Sequence, residues 1–160
     1  MARVGFVLYK ERIKGCVFVP ASRRQIREAA FLLSFEKLFR DDPLEDIFES
    51  AKEVDDFEFD EQAQQLVRNI YDNAEKLDEI IAEFSDKRAV SRIPKVNLAL
   101  LRLAIYEAIF DDRVPVNVAI SEAVKLAQTY ALSNDVSFVN GVLGSFSKSE
   151  HVKDKADDKK

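Results

Sequence analysis

Apolar residues recur along most of this chain at the three-and-four spacing of a helix, and one stretch, Pro94 to Phe110, is apolar almost all the way round. Between Val96 and Phe110 of PKVNLALLRLAIYEAIF only Asn97, Arg102 and Glu107 interrupt the spiral, so the pattern predicts a buried helix that meets water near those three residues alone. Charge breaks the run, and it is shorter than the roughly 20 clean apolar residues a bilayer crossing needs, which predicts burial in protein. Pro94 suits a first helical turn, where its missing N–H costs nothing, and Pro115 follows shortly after the helix. Arg102, a guanidinium among apolar neighbours, requires a carboxylate or carbonyl partner, and a structural ion pair is the expected answer.

The remaining pattern predicts further helices on either side. Ser22 and Gln25 match a capping box, and Ile26, Phe31, Leu32, Phe35, Leu38 and Phe39 form an apolar stripe to about Arg40. Pro43 opens a short helix carrying Leu44, Ile47, Phe48 and Ala51, followed by VDDFEFD, a loop anchored by its phenylalanines. Asp60 is placed to cap one long helix running to about Phe84, after which SDKRAVSR reads as a connection. Beyond Pro115 the pattern resumes through Tyr130. Ser133 or Asn134 is then the expected cap of a last helix that buries Phe138, Val139, Val142, Leu143 and Phe146. Gly141 inside that helix costs about 1 kcal/mol of propensity relative to Ala, which predicts a close helix contact there.

These elements predict an all-α fold of six to seven helices within residues 22–146. Residues 1–21 differ in character, with the β-prone runs VGFVLY and CVFVP around a charged turn, and are expected to be an extension, hairpin-like or disordered, that adds little to the fold. Residues 147–160 are expected to be a charged, disordered tail.

Composition removes several kinds of chemistry. Cys16 and His151 are the single cysteine and histidine of the 160 residues, which argues against disulfides within one chain, Cys/His nucleophile pairs and ordinary zinc sites, and fits a reducing, cytoplasmic setting. Four glycines form neither a phosphate loop nor a dinucleotide fingerprint, so no cofactor is expected. Between Asp41 and Glu61 eleven carboxylates accompany Lys52 alone; they lack a calcium-loop arrangement and are expected to be a solvated face, with no metal. The net charge of −5 argues against a generally basic nucleic-acid binder but leaves room for a local patch. One such cluster is Arg23, Arg24 and Arg27 at the start of the first helix. Cations there oppose the helix dipole at about 0.3–1 kcal/mol each, which suits an anionic partner and equally fits a solvated cationic face.

Four motifs then carry a resemblance: RRQIRE (Arg23 to Glu28), KVNLALLRLAIYE (Lys95 to Glu107), VPVNVAISEAVKLA (Val114 to Ala127) and FVNGVL (Phe138 to Leu143). In this order, over about Ser22 to Phe146, the chain resembles the NusB family of bacterial transcription antitermination factors. The resemblance implies two three-helix subdomains, no catalysis, and binding of boxA-type single-stranded RNA together with the small-subunit ribosomal protein NusE, within the transcription elongation complex on ribosomal RNA genes.

Position by position, the resemblance puts Arg24 and Arg27, assisted by Arg23, in the family's RNA-contacting arginine motif. It puts Tyr130 and Phe138 where relatives present aromatics to RNA, with Asn134 and Ser137 in the intervening loop, and Phe35, Val96 and Asn97 on the ribosomal-protein side. Guanidinium groups for phosphate and flat rings for bases are what single-stranded RNA requires. The chain departs from the family where Ser133-Asn134-Asp135-Val136-Ser137 replaces a loop close to E-D-S-x-K, where Asn117 replaces a common basic residue, and where Asn97 replaces an acid. The competing expectation is a protein-binding helical adaptor, alone or as a homodimer, without intrinsic RNA binding. NusB-like domains also occur fused to RNA cytosine methyltransferases, and a chain ending at Lys160 is expected to have no room for that catalytic domain.

Overall fold

A computed structural model describes residues 21–86 and 88–157, so the expectation for the N-terminal extension lies, but for Ala21, outside the described residues. The described residues form eight α-helices and one short 3-10 turn, without strands, and fall into two units that divide between Asp72 and Asn73.

In the first unit, α1 (Arg23–Lys37) begins at the expected capping box: the Gln25 N–H donates to Ser22 Oγ at 3.2 Å, and the Ser22 N–H donates to Gln25 Oε1 at 2.7 Å. Two of the orphan donors of a helix start are satisfied reciprocally. The middle of α1 is buried around most of its circumference at Ala29, Ala30, Phe31, Leu32 and Leu33, against α2 (Leu44–Lys52) and α3 (Glu61–Asp72). Asp60 Oδ1 accepts the Ala63 N–H at 3.0 Å and fixes the start of α3, which sets Ala63, Val67 and Ile70 on one buried face. Phe57 and Phe59, 5.2 Å apart, anchor the acidic loop as expected, with Phe59 against Phe48. Tyr71 Oη donates to the Ser34 carbonyl at 2.8 Å and ties α3 back to α1.

In the second unit α4 (Ala74–Phe84), the 3-10 turn (Val90–Arg92), α5 (Lys95–Phe110), α6 (Val116–Tyr130), α7 (Ser133–Phe146) and α8 (Glu150–Asp157) follow in order. The centre is α5, which packs against α4, α6, α7 and α8. Asn97 and Glu107, where the helix was expected to meet water, are buried with most of it, and so is Arg102, which makes the structural ion pair expected of it. The polarity is met inside the unit, as Arg102 Nε and Nη2 donate to the two carboxylate oxygens of Asp78 on α4 at 2.7 and 2.8 Å.

Four further expectations are corrected. The long helix from Asp60 to Phe84 is interrupted at Asn73 (φ −108°, ψ 10°), whose carbonyl accepts the Leu77 N–H and starts α4 afresh. Asp and Asn are poor helix formers, while the apolar spacing runs on through the break and hides it. The cap of α7 is neither Ser133 nor Asn134: both are helical, and the extended residue is Leu132, which has no side chain to offer a hydrogen bond. Gly141 has no close helix contact, since a Cβ built there meets nothing within 4 Å. The tail is structured in part, as α8. His151 lies 2.9 Å from Glu83 and stacks on Phe146, Val152 is buried, and Lys155 Nζ donates to the carbonyls of Glu107, Ala108, Asp111 and Val114 at 2.6 to 3.2 Å. A cation at the carbonyl end of α5 complements the negative end of its dipole, which a charge pattern read along the chain does not reveal.

Candidate nucleic-acid interface

The residues expected to meet RNA belong to both units. In the first, Arg23 and Arg24 are exposed on the opening turn of α1, which carries no acidic residue. Arg27 is only 6% exposed, and all three arginines already have interaction partners. Arg27 therefore offers little surface to a ligand: the i, i+3, i+4 spacing turns it from the solvent side of α1 toward the stripe that starts at Ile26. Phe35 is half-buried in a ladder along α1, stacked on Phe31 at 6.0 Å and edge-on to Phe39 at 5.0 Å. Phe39 ends the ladder, 41% exposed.

In the second unit, Tyr130 closes α6 half-buried, and Leu132, 71% exposed, leads into α7. Asn134, Ser137 and Phe138 stand on the first turns of α7, the two polar residues exposed and the ring half-buried. Asn134 and Phe138 are four residues apart and share a helix face, which sets an amide and an aromatic surface side by side. Asn97, expected to touch a protein partner, is fully buried instead. Its Nδ2 donates to Asp135 Oδ1 at 2.9 Å, so it positions the first turn of α7 and has no surface of its own to offer. Its Oδ1 is buried without a hydrogen bond, a local cost within an otherwise satisfied helix. Val96 next to it is half-buried and remains accessible in part.

Sequence reasoning missed Arg88. Its guanidinium carbon lies 4.8 Å from the centre of the Phe138 ring, within cation–π range, and the side chain is exposed. The available signal was the stretch Lys87 to Lys95, which holds Lys87, Arg88, Arg92 and Lys95 without an acid in a chain of net negative charge. Among the described residues, no group of three or more His, Cys, Asp or Glu is arranged to hold a metal ion, and no helix is long and apolar enough to cross a membrane.

A helical protein of two units, the second built round a buried α5 and with polar and aromatic groups gathered at the start of α7, is the class these observations define. The NusB family model matches residues 24–148. The chain is 38% identical over 135 residues to the transcription antitermination protein NusB of Clostridium acetobutylicum, covering 82% of this chain and 99% of that one. It is 41% identical over 128 residues to NusB of Acetivibrio thermocellus, covering 79% and 88%. The solved structure of T. maritima NusB superposes with a TM-score of 0.74 at 33% identity, over 87% of this chain and 99% of that one. The chain belongs to the NusB family of transcription antitermination proteins.

Proposed function

We propose that this protein is a non-enzymatic antitermination factor of the cytoplasm, which binds boxA-type single-stranded RNA together with the ribosomal protein NusE and joins them to the transcription elongation complex. Beyond family membership, the observation that carries the RNA reading is the helix face of α7, where the half-exposed Phe138 ring stands one turn from the exposed amide of Asn134. A ring stacks on a base of any identity, and an amide both donates to and accepts from a base edge. Arg23 and Arg24 on the opening turn of α1 supply the cations that phosphate requires; Arg27 contributes from beneath, by packing.

For the protein partner, the Phe35–Phe39 edge pair and the exposed part of Val96 are the proposed contacts, with Asn97 acting through Asp135. The exposure of Phe39 also favours the second reading, a protein-binding adaptor or homodimer without RNA. Fluorescence anisotropy of a boxA-type strand and a scrambled strand of equal composition, with and without NusE, separates the two. The first reading expects preference for the boxA-type strand, sharpened by NusE; binding to neither strand under either condition leaves the adaptor.

A further inference from the structure

Most arginines among the described residues are spoken for. Arg40, Arg68, Arg102 and Arg113 each donate to carboxylates, and Arg23, Arg24 and Arg27 carry interactions of their own. Among the described residues, Arg88 and Arg92 are the exceptions: neither guanidinium has a hydrogen-bond or ion-pair partner, and both are exposed in the connection that leads to α5. In a chain with 29 acidic residues against 24 basic ones, two unpaired guanidinium groups in one short connection are a local surplus.

The connection is built to hold Arg88 in place. Asp86 takes a left-handed conformation (φ 51°), a turn that lets the Arg88 N–H donate to the Ser85 carbonyl at 2.9 Å. Ser85 is buried, and its hydroxyl donates to the Arg88 carbonyl at 3.0 Å. The backbone is thus clamped from both sides, and the ring of Phe138 fixes the other end of the side chain at 4.8 Å. An arginine uses its flat face to stack on a ring, while its five N–H donors lie in the plane and point outward from the edge. The contact with Phe138 occupies the guanidinium with a ring and not with a carboxylate or carbonyl, and it removes much of the rotamer freedom that phosphate binding would otherwise have to freeze.

We propose that Arg88 is a phosphate-contacting residue for single-stranded RNA, held ready by the Phe138 ring and the Ser85 turn. This rests on the RNA-binding function proposed above. The guanidinium edge takes a backbone phosphate next to the bases read at the start of α7, with Arg92 adding charge from the same connection.

The test is RNA titration of the full chain over a range of salt, with the boxA-type strand, comparing the unaltered protein with Arg88→Gln, Arg88→Lys and Arg113→Gln. Arg113 is an exposed arginine of the same unit that is already paired with Asp111, so its loss removes the same charge without the proposed contact. Arg88→Gln is expected to weaken binding by roughly tenfold, the scale of one hydrogen-bonded charge. It should lower the salt slope by about 0.7, one phosphate on a single strand. Arg88→Lys should keep the slope and lose part of the affinity, and Arg113→Gln should change neither. A purely structural stitch between Arg88 and Phe138 would lower the melting temperature and leave the slope alone. If Arg88→Gln binds with the affinity and slope of Arg113→Gln, or Arg88→Lys binds as tightly as the unaltered protein, the inference is overturned while the proposed function stands. If the unaltered protein binds no RNA, both fall.

Discussion

Arg102 and Asp78 form a two-pronged ion pair that joins α5 to α4, with Nε and Nη2 each meeting a different carboxylate oxygen. The arginine side chain is 11% exposed and the aspartate 27%, so water screens this pair mainly from the Asp78 side. Removing one partner from a buried pair leaves a charge without compensation. Asp78→Ala is expected to cost about 3 kcal/mol in urea unfolding, the low end for such pairs. A loss within experimental error of zero would mean that the pair is solvated in practice.

Lys155 acts as a C-cap supplied from another helix. Its ammonium meets four carbonyls at the end of α5 and the turn after it, a site where a cation is worth up to about 2 kcal/mol. Lys155→Ala should therefore lower stability by about 1–2 kcal/mol and speed amide exchange across Glu150–Asp157. Unchanged exchange in that helix would show that His151 and Val152 alone hold it down.

Asp111 makes the turn between α5 and α6 sensitive to acid. Hydrogen bonds from the Arg113 side chain, at 3.0 and 3.1 Å, hold its carboxyl below the usual carboxylate range, against the opposing effect of partial burial. Because the folded value is the lower one, the turn contributes stability above the ordinary carboxylate value of about 4 and loses it as pH falls through the depressed value. Asp111→Asn should flatten the acid limb of the stability profile. A profile that keeps its full slope would place the acid sensitivity at other carboxylates.

Gly141 has open space where a Cβ would go and sits within α7, so Gly141→Ala should stabilise the protein by about 1 kcal/mol through helix propensity alone. A destabilised variant would reveal a close approach that the unbound fold lacks.

What could be read from the chain divides along the range of the interaction. Ser22 with Gln25, Asp60 with Ala63, and the apolar spiral of α5 are local or periodic signals, and each is realised as the pattern predicts. Asn73 escapes because a break that keeps the apolar spacing leaves no mark on it. Lys155 and His151 escape because the four carbonyls that hold Lys155 and the Glu83 carboxylate beside His151 lie 41 or more residues away, so in sequence they are charges in a polar tail. At the candidate interface, Phe138 was legible only through the family motif. Arg88 and the burial of Asn97 and Arg27 depend on which helix faces meet, which spacing alone does not decide.

The central claim is RNA binding through phosphate contacts at α1 and the surface of α7, and the salt dependence of binding tests it most directly. The measurement is affinity for the boxA-type strand at several salt concentrations, for the unaltered protein and for Arg23→Ala/Arg24→Ala, with circular dichroism as the check on folding. Each phosphate contact adds about 0.7 to the slope on single strands, so the account predicts weaker binding and a slope reduced by up to about 1.4. A folded double variant that keeps both the full affinity and the full slope would contradict it.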